Sequence, residues 1–498
     1  MLRHGPVFPG ARVTPGDPRY PALIRGFNQR WVGNPRYVEV VGDAQQIVQV
    51  VQKCVDERLR VTVRSGGHCY EGWVSLNDGV IIDVSSLHAA GQDPETGWYF
   101  LESGCTNWDI YNQIYRQYGV TLPAGSCYSV GAGGHICGGG YGLLSRLQGL
   151  TVDWLHGVEV VHVDKDRKAR LVRVTRDSPT PEERDLFWAH TGGGGGNFGV
   201  ITKYFFKELP PAPGEAWLAS LAWEWSDLID HPDLFFQILE NYGRFFEENS
   251  QPGSRFSSLF SLFHLTRQAA GQILLTVQNA GSDREPLDEF LEAMESGVDK
   301  ARVQAVAPRI AVGWHHYIPS STSARRMPWL EATQTLNGSG ANQRGKYKSA
   351  YMKKGFPEDQ FETIWKWLTV QNDQYPANSQ ALLQVDSYGC KINEAAPDAT
   401  AVPQRSSILK LQYQTYWTEP AQDQVNLDWI NGFYQEMYGE RGPWPGEVFD
   451  GAYVNYCDSD LVDWQYLYYK DNYPRLQKAK AEWDPHNIFH HGQSVELP

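Results

Sequence analysis

Three stretches of this chain set glycine beside side chains that can bind anions or act as nucleophiles. Arg64-Ser65-Gly66-Gly67-His68 follows a short apolar run. Successive backbone N–H groups in such a turn form an anion-binding nest, and glycine lets the chain approach a phosphate closely. Taken alone, the segment is also an ordinary turn, and it is not the GxGxxG dinucleotide fingerprint. The second stretch runs from Cys127 to Gly142, and seven of its sixteen positions are glycine. A chain this bare can lie flat against a large rigid ligand, pyrophosphate included. Thr191–Gly199, with glycine at every position from 192 to 196, repeats the theme. Further on, Gln384 and Asp386 are two residues apart, as are Gln412 and Gln414. In a strand each pair shares one face, either a binding wall or a solvated surface.

The elements around these residues can be read from periodicity. Tyr37–Val41 reads as a strand. Asp43 and Gln46 have capping-box spacing, and Ile47, Val50, Val51, Cys54 and Val55 make one apolar helix stripe. Val61–Val63 is the next strand and runs straight into the first glycine turn, which completes a β-α-β unit. Val80–Val84 and Tyr99–Glu102 read as strands. Thr106 and Asp109 open a helix that Gly119 ends, and Val120–Leu122 is a further expected strand. Val158–Val163 and Arg170–Val174 make a hairpin, Asp185–His190 a short helix, and 200–206 a strand. A Pro-rich break at 209–217 is the first domain boundary. Beyond it, helices are expected near 233–248, 285–299 and 357–370, and strands near 257–263, 272–277, 381–388 and 407–414.

Composition excludes several classes of function. A chain of 498 residues with 41% hydrophobic and 20% charged residues is ordinary globular protein with room for a large core. A formal net charge of −14 argues against a nucleic-acid partner and against docking on an anionic membrane. No apolar run is long enough to span a bilayer. The 18 Trp and 26 Tyr suit stacking on sugars or flat aromatic ligands, and equally suit a large core. Seven cysteines without a CxxC pair indicate neither a zinc ribbon nor a thioredoxin-like site. His315-His316 and the group His486, His490 and His491 lack completing ligands at metal-site spacing, so no metal is expected. The opening twenty residues contain no apolar h-region, so no signal peptide is read, and a reducing cytoplasm is the expected compartment.

Taken in order, RSGGH, C-x-x-VGxGGHxxGGGYG, WAHTGGGGGNFGVIT, YVNY and WDPHNIF span residues 64 to 489. Together they resemble the berberine-bridge-enzyme-like flavoprotein oxidases of the vanillyl-alcohol-oxidase/p-cresol methylhydroxylase superfamily. Within it, the motifs look most like the bacterial glycopeptide hexose oxidases, with glucooligosaccharide oxidases further away. The resemblance implies FAD held by two covalent bonds, one from His68 to the flavin 8α-methyl carbon and one from Cys127 to flavin C6. It carries cofactor contacts onto Arg64, Ser65, Gly66 and Gly67, and onto Val130, Gly131, Gly133, Gly134, Gly138 and Gly142. It does the same for Gly199, Val200 and Ile201, and for Tyr453, Asn455 and Asn487. Tyr456 matches the position of the base that takes the hydroxyl proton while the flavin takes the hydride. Tyr141 matches a second active-site tyrosine, and Asp386 the acid that partners the base. A phenol with an ordinary pKa of about 10 needs nearby cations or donors for such work. Gln384, Gln412 and Gln414 match positions lining the substrate cleft of sugar-oxidising relatives. Lys346 and Lys348 fall in a similar family segment without an assigned role. Ala132 stands where relatives mostly carry Val or Ile, a position thought to control oxygen access. A smaller side chain should not block oxygen.

The expected architecture is therefore α+β in two domains. Residues 1–208 with the C-terminal return 446–498 form the FAD-binding domain, and 209–445 form a substrate-binding domain built on an antiparallel sheet. The expected reaction is oxidation of an alcohol carbon of a carbohydrate or glycosylated natural product, with oxygen reoxidising the flavin to give hydrogen peroxide. Phenolic or benzylic alcohols, a tailoring step on a secondary metabolite, and a dehydrogenase with another acceptor are the alternatives.

Overall fold

The computed structural model describes residues 10–309, 324–338, 340 and 342–498, so His315 and His316 lie outside it. Its strands form three sheets. In the first, Tyr37–Val40 and Val61–Arg64 both run parallel to Val80–Asp83, which lies between them, and Ala11–Val13 adds an antiparallel edge. The connecting helix, Ala44–Glu57, starts where the sequence places it. Asp43 accepts from the Gln46 N–H at 2.8 Å, while the Gln46 side chain accepts from the Gly42 N–H at 2.8 Å. Its stripe of Ile47, Val50, Val51, Cys54 and Val55 is buried against Val80, Ile82, Val161, Val163 and Val200, so this helix joins the first sheet to the second.

The second sheet has the order Ala90–Gln92, Tyr99–Glu102, Val200–Phe206, Gly157–Val163, Ala169–Thr175, all antiparallel. The strand expected at Val120–Leu122 is only a single bridge, Val120 to Pro211. Its partner segment contains Pro210 and Pro211, which have no N–H to extend a ladder. The helix expected from Asp185 begins earlier, at Pro181, because Thr180 and Glu183 cap it reciprocally.

The third sheet has seven strands, each pair antiparallel. Its order is Arg325–Pro328, Glu215–Glu224, Gln272–Ala280, Leu259–Thr266, Ala381–Ser387, Leu409–Trp417, Arg344–Met352. One face carries helices. Tyr413 packs on Phe433 and Tyr434 of the helix Asp423–Tyr438, and Thr415 donates to Asn426 of the same helix at 2.9 Å. The other face carries the polar residues that alternate with them. The helix expected over 285–299 is Glu285–Met294; it stops just before Gly297, whose φ is +73°. The strands Glu215–Glu224 and Arg344–Met352 and the helix Asp423–Tyr438 have no counterpart in the sequence reading.

The C-terminal segment returns to the glycine-rich part of the chain. Fully buried Lys480 donates to Asp484 at 2.7 Å, to the Asn197 carbonyl at 2.7 Å and to the Phe489 carbonyl at 2.6 Å. A buried ammonium needs such full satisfaction. Among the described residues no helix is long and apolar enough to cross a membrane.

Candidate active site

The strand Val61–Arg64 delivers its turn onto the loop that precedes a short helix, Ala132–Cys137. The contact is glycine against glycine. A Cβ on Gly66 would lie 2.9 Å from the Gly131 Cα, and one on Gly131 would lie 2.9 Å from the Gly66 Cα. Any side chain at either position forces the two segments apart. Gly134 differs. A Cβ there meets nothing within 4 Å, although the residue lines a cleft of about 640 Å³. The bare floor of this cleft is Ser65, Gly66, Gly67, Val130, Gly131, Gly133 and Gly134, flanked by Gly142, Gly199 and Ile201.

His68 and Cys127 both line the cleft. The His68 ring stacks on Phe27, with centroids 4.7 Å apart, and its Nε2 lies 2.9 Å from the Ser129 hydroxyl. Burial pushes its pKa down to about 4, so the imidazole is neutral at pH 7 and keeps a nucleophilic lone pair. Burial pushes the Cys127 thiol up to about 11, against a hydrogen bond with Ser126. Nearby, Ser103 Oγ and Asn107 Oδ1 are buried on the cleft wall without a partner among the described residues. Buried polar atoms are rarely left so. Open space above Gly134, a glycine floor and two orphaned polar atoms fit a large, flat, polar cofactor such as FAD.

The facing wall is the polar side of the seven-stranded sheet. Lys410 stands directly opposite Asp386 in the register of Ala381–Ser387 with Leu409–Trp417. Its ammonium is fully buried, 3.1 Å from Asp386 Oδ2, and donates to the Tyr456 phenol at 2.8 Å. It also lies over the Tyr141 ring at 4.3 Å and the Tyr456 ring at 4.0 Å. Burial pulls the Lys410 pKa down, and Asp386 counters it. Burial pushes the Tyr456 phenol well above its usual range, with Asp386 adding to this. The Tyr141 hydroxyl donates to the Ser387 carbonyl at 2.5 Å. Beyond this group the wall is one hydrogen-bonded chain. Gln384 Nε2 donates to Asp386 at 2.7 Å, and Gln414 Nε2 donates to Gln384 and Gln412, each at 3.0 Å. Gln412 Nε2 donates to the Tyr70 hydroxyl at 3.0 Å, and Tyr416 donates to Gln414 at 2.7 Å. His264 Nε2 sits 3.0 Å from Gln384 Oε1.

Tyr453 and Asn455 line the cleft beside Tyr456. Four residues expected at the cofactor do not line it. Arg64 turns behind the nest, donating to the Leu23 carbonyl and lying 3.9 Å from Asp83. Val200 points away because side chains alternate along its strand, leaving Gly199 and Ile201 on the cleft side. Gly138 packs against the Asn455 side chain, and Asn487 turns the tail at φ +50° with its N–H on the Asp484 carbonyl. Ala132 is fully buried and outside the lining. His486, His490 and His491 each make a backbone carbonyl contact, at 3.0, 2.8 and 3.1 Å.

Lys410, Tyr70, Tyr416 and His264 were not anticipated. Lys410 was within reach of the sequence, because it sits two residues before Gln412 in LKLQYQTYW and so shares its face. Lys346 and Lys348, which had no role, are buried ion-pair partners. Lys346 Nζ lies 2.6 Å from Glu71, 2.7 Å from Asp458 and 3.0 Å from Asp460, and Lys348 lies 2.7 Å from Asp458. Lys346 ties the segment after His68 to the segment after Tyr456.

Comparison with known proteins gives a consistent neighbourhood. Residues 35–166 match the family model for an FAD binding domain, and residues 452–496 match the one described as berberine and berberine like. The chain is 40% identical to a hexose oxidase of Chondrus crispus, over 96% of this chain and 93% of that one. It is 39% identical to an aclacinomycin-N/aclacinomycin-A oxidase of Streptomyces galilaeus, over 98% of this chain and 90% of that one. A glycopeptide hexose oxidase solved in complex with teicoplanin superposes with a TM-score of 0.90 at 37% identity, covering 99% of this chain and all of the other.

Proposed function

Because this chain belongs to the berberine-bridge-like family of FAD-linked oxidoreductases, we propose that it oxidises a hydroxyl-bearing carbon of a sugar or a glycosylated natural product. The fold is the α+β fold of the p-cresol methylhydroxylase-type FAD-binding oxidases. In this reading His68 and Cys127 tether the flavin, and oxygen is the final acceptor, released as hydrogen peroxide. The observation that carries the reading is the Tyr456–Lys410–Asp386 group, set in a polar wall opposite the glycine floor.

When bound, FAD supplies the two-electron acceptor, which no side chain of this protein can replace. The chain supplies position and a proton acceptor. The Tyr456 oxygen, as phenolate, receives the proton of the substrate hydroxyl and becomes the phenol. The Lys410 ammonium stabilises the phenolate through its 2.8 Å hydrogen bond, and Asp386 holds that ammonium in place. In a buried site such a charge-assisted bond is strong. The linked amides of Gln384, Gln412 and Gln414, with the Tyr70 and Tyr416 hydroxyls, offer both donors and acceptors to neighbouring substrate hydroxyls. That alternation suits a carbohydrate better than a lone alcohol on an apolar ring. The hexose oxidase and the glycopeptide hexose oxidase among its relatives point the same way.

Steady-state oxygen consumption and peroxide release, screened over free hexoses, oligosaccharides, glycosylated aromatics and benzylic alcohols, test the substrate class. Turnover of sugar-bearing compounds is expected; turnover confined to benzylic alcohols contradicts the reading. Tyr456→Phe is expected to lose about a hundredfold or more in kcat with flavin content unchanged. Full activity in that variant removes the base assignment.

A further inference from the structure

The chemistry above leaves Cys69 and Cys457 unused. Their sulfurs lie 4.0 Å apart, across 388 residues of chain, and both residues line the cleft. Cys69 stands between His68 and Tyr70, and Cys457 directly follows Tyr456. The pair therefore joins the segment that carries one expected flavin tether to the segment that carries the base. None of the seven cysteines is paired in a disulfide. A disulfide has sulfurs about 2.05 Å apart, so closure needs an approach of about 2 Å. The backbone on both sides is already pinned. Glu71, two residues past Cys69, accepts from the Ser459 N–H at 3.1 Å, and Lys346 bridges Glu71 and Asp458.

We propose that Cys69 and Cys457 form an oxidisable dithiol in the cleft, which closes to a disulfide when hydrogen peroxide reaches it. The proposal rests on the function above only for the source of the peroxide. The two thiols are unequal. The hydrogen bond from Cys457 pulls the Cys69 thiol down, whereas burial pushes Cys457 up. Cys69 is thus the attacking group, since the thiolate is the nucleophile. Its sulfur attacks one peroxide oxygen. The O–O bond breaks, the departing hydroxide takes up a proton as water, and Cys69 is left as a sulfenic acid. The Cys457 sulfur then attacks the Cys69 sulfur. The S–O bond breaks, and a second water leaves with the Cys457 proton. The two thiols lose two electrons in total, and peroxide gains two. Cys54 is a single buried thiol in the hydrophobic core, pushed up to about 12 by burial, and serves as an internal control.

The test uses purified holoprotein, reduced, desalted and exposed to added hydrogen peroxide. It is then alkylated, digested without reduction and mapped by mass spectrometry. The expected result is a crosslinked peptide pair containing residues 69 and 457, with two fewer alkylatable thiols, restored by dithiothreitol, and Cys54 still alkylated. In Cys457→Ser, Cys69 should stall as a sulfenic acid trapped by dimedone. Recovery of both peptides as alkylated thiols, or of Cys69 as a sulfinic acid without a crosslink, overturns the proposal. Because peroxide is added, neither result depends on turnover, and the proposed function fails or stands separately.

Discussion

Lys410 decides what Tyr456 can do. A phenol buried beside a carboxylate resists ionisation, and here burial and Asp386 both push it upward. The ammonium at 2.8 Å is the group that opposes them. Lys410→Met should therefore lower kcat by about a hundredfold, the scale of a lost acid–base contribution. The kcat profile should also shift to higher pH, because the phenol loses its stabilising cation. KM should change little, since the amides of the wall remain. An unchanged pH profile would contradict this role. The sequence exposed Tyr456 and Asp386 through the family resemblance, and alternation placed Asp386 on one face with Gln384. Lys410 shares the face of Gln412 by alternation, yet its role escaped because its cross-strand partner Asp386 is set by tertiary register. Tyr70, two residues beyond His68, escaped for the same reason. Its partner Gln412 is far away in sequence, and its stack on Tyr347, with centroids 3.5 Å apart, appears only in three dimensions.

At the scale of elements, the glycines divide into two kinds that the sequence could not separate. Gly66 and Gly131 are needed by the fold, because each occupies space a side chain on the other would take. Gly134 is not, because its open side faces the cleft. Gly131→Ala is therefore expected to reduce folded yield and lower Tm. Gly134→Ala should leave the Tm of the apoprotein within a degree or so of the parent while reducing flavin incorporation. Thermal melts and flavin-to-protein absorbance ratios check both. Equal effects of the two substitutions would contradict the distinction. Local patterning was most legible where one motif governs one element. The Asp43–Gln46 cap, the stripe of the helix Ala44–Glu57 and the hairpin around Asp164–Lys168 all follow from short-range rules. It failed for Glu215–Glu224 and Arg344–Met352. The first has Leu218, Ala219, Leu221 and Ala222 all buried, and the second is buried from Gly345 to Met352, so neither shows a period of two.

At the scale of the molecule, histidines shielded by the fold contribute to the response to acid; His190 is buried, and His135 and His491 are half-buried. His135, His190 and His491 are each pushed down to about 4 by burial, His135 also by Lys410. In the unfolded chain they titrate near about 6.5. Between these values the unfolded state binds more protons than the folded one, so stability rises with pH across that window. It is fully present above the unfolded pKa and is lost as pH falls toward 4. Melts from pH 8 to pH 4.5 should show Tm constant to about pH 7 and then falling steadily. A Tm that stays level to pH 5 would contradict this account. The arrangement of the three sheets was only partly readable in advance. The YVNY and WDPHNIF motifs pointed to the C-terminal return, but the buried Lys480 ammonium that reaches the Asn197 and Phe489 carbonyls to help anchor it has no local signature.

The central claim is that the cleft between the glycine floor and the seven-stranded sheet holds FAD through His68 and Cys127. Acid precipitation of the purified protein, followed by the flavin absorbance of the washed pellet, tests it most directly in the parent, His68→Ala, Cys127→Ala and the double variant. The account predicts a yellow pellet for the parent and for each single variant, with the colour released only in the double variant. A colourless parent pellet with free flavin in the supernatant would contradict the tethers, and no flavin in either fraction would contradict the cofactor site itself.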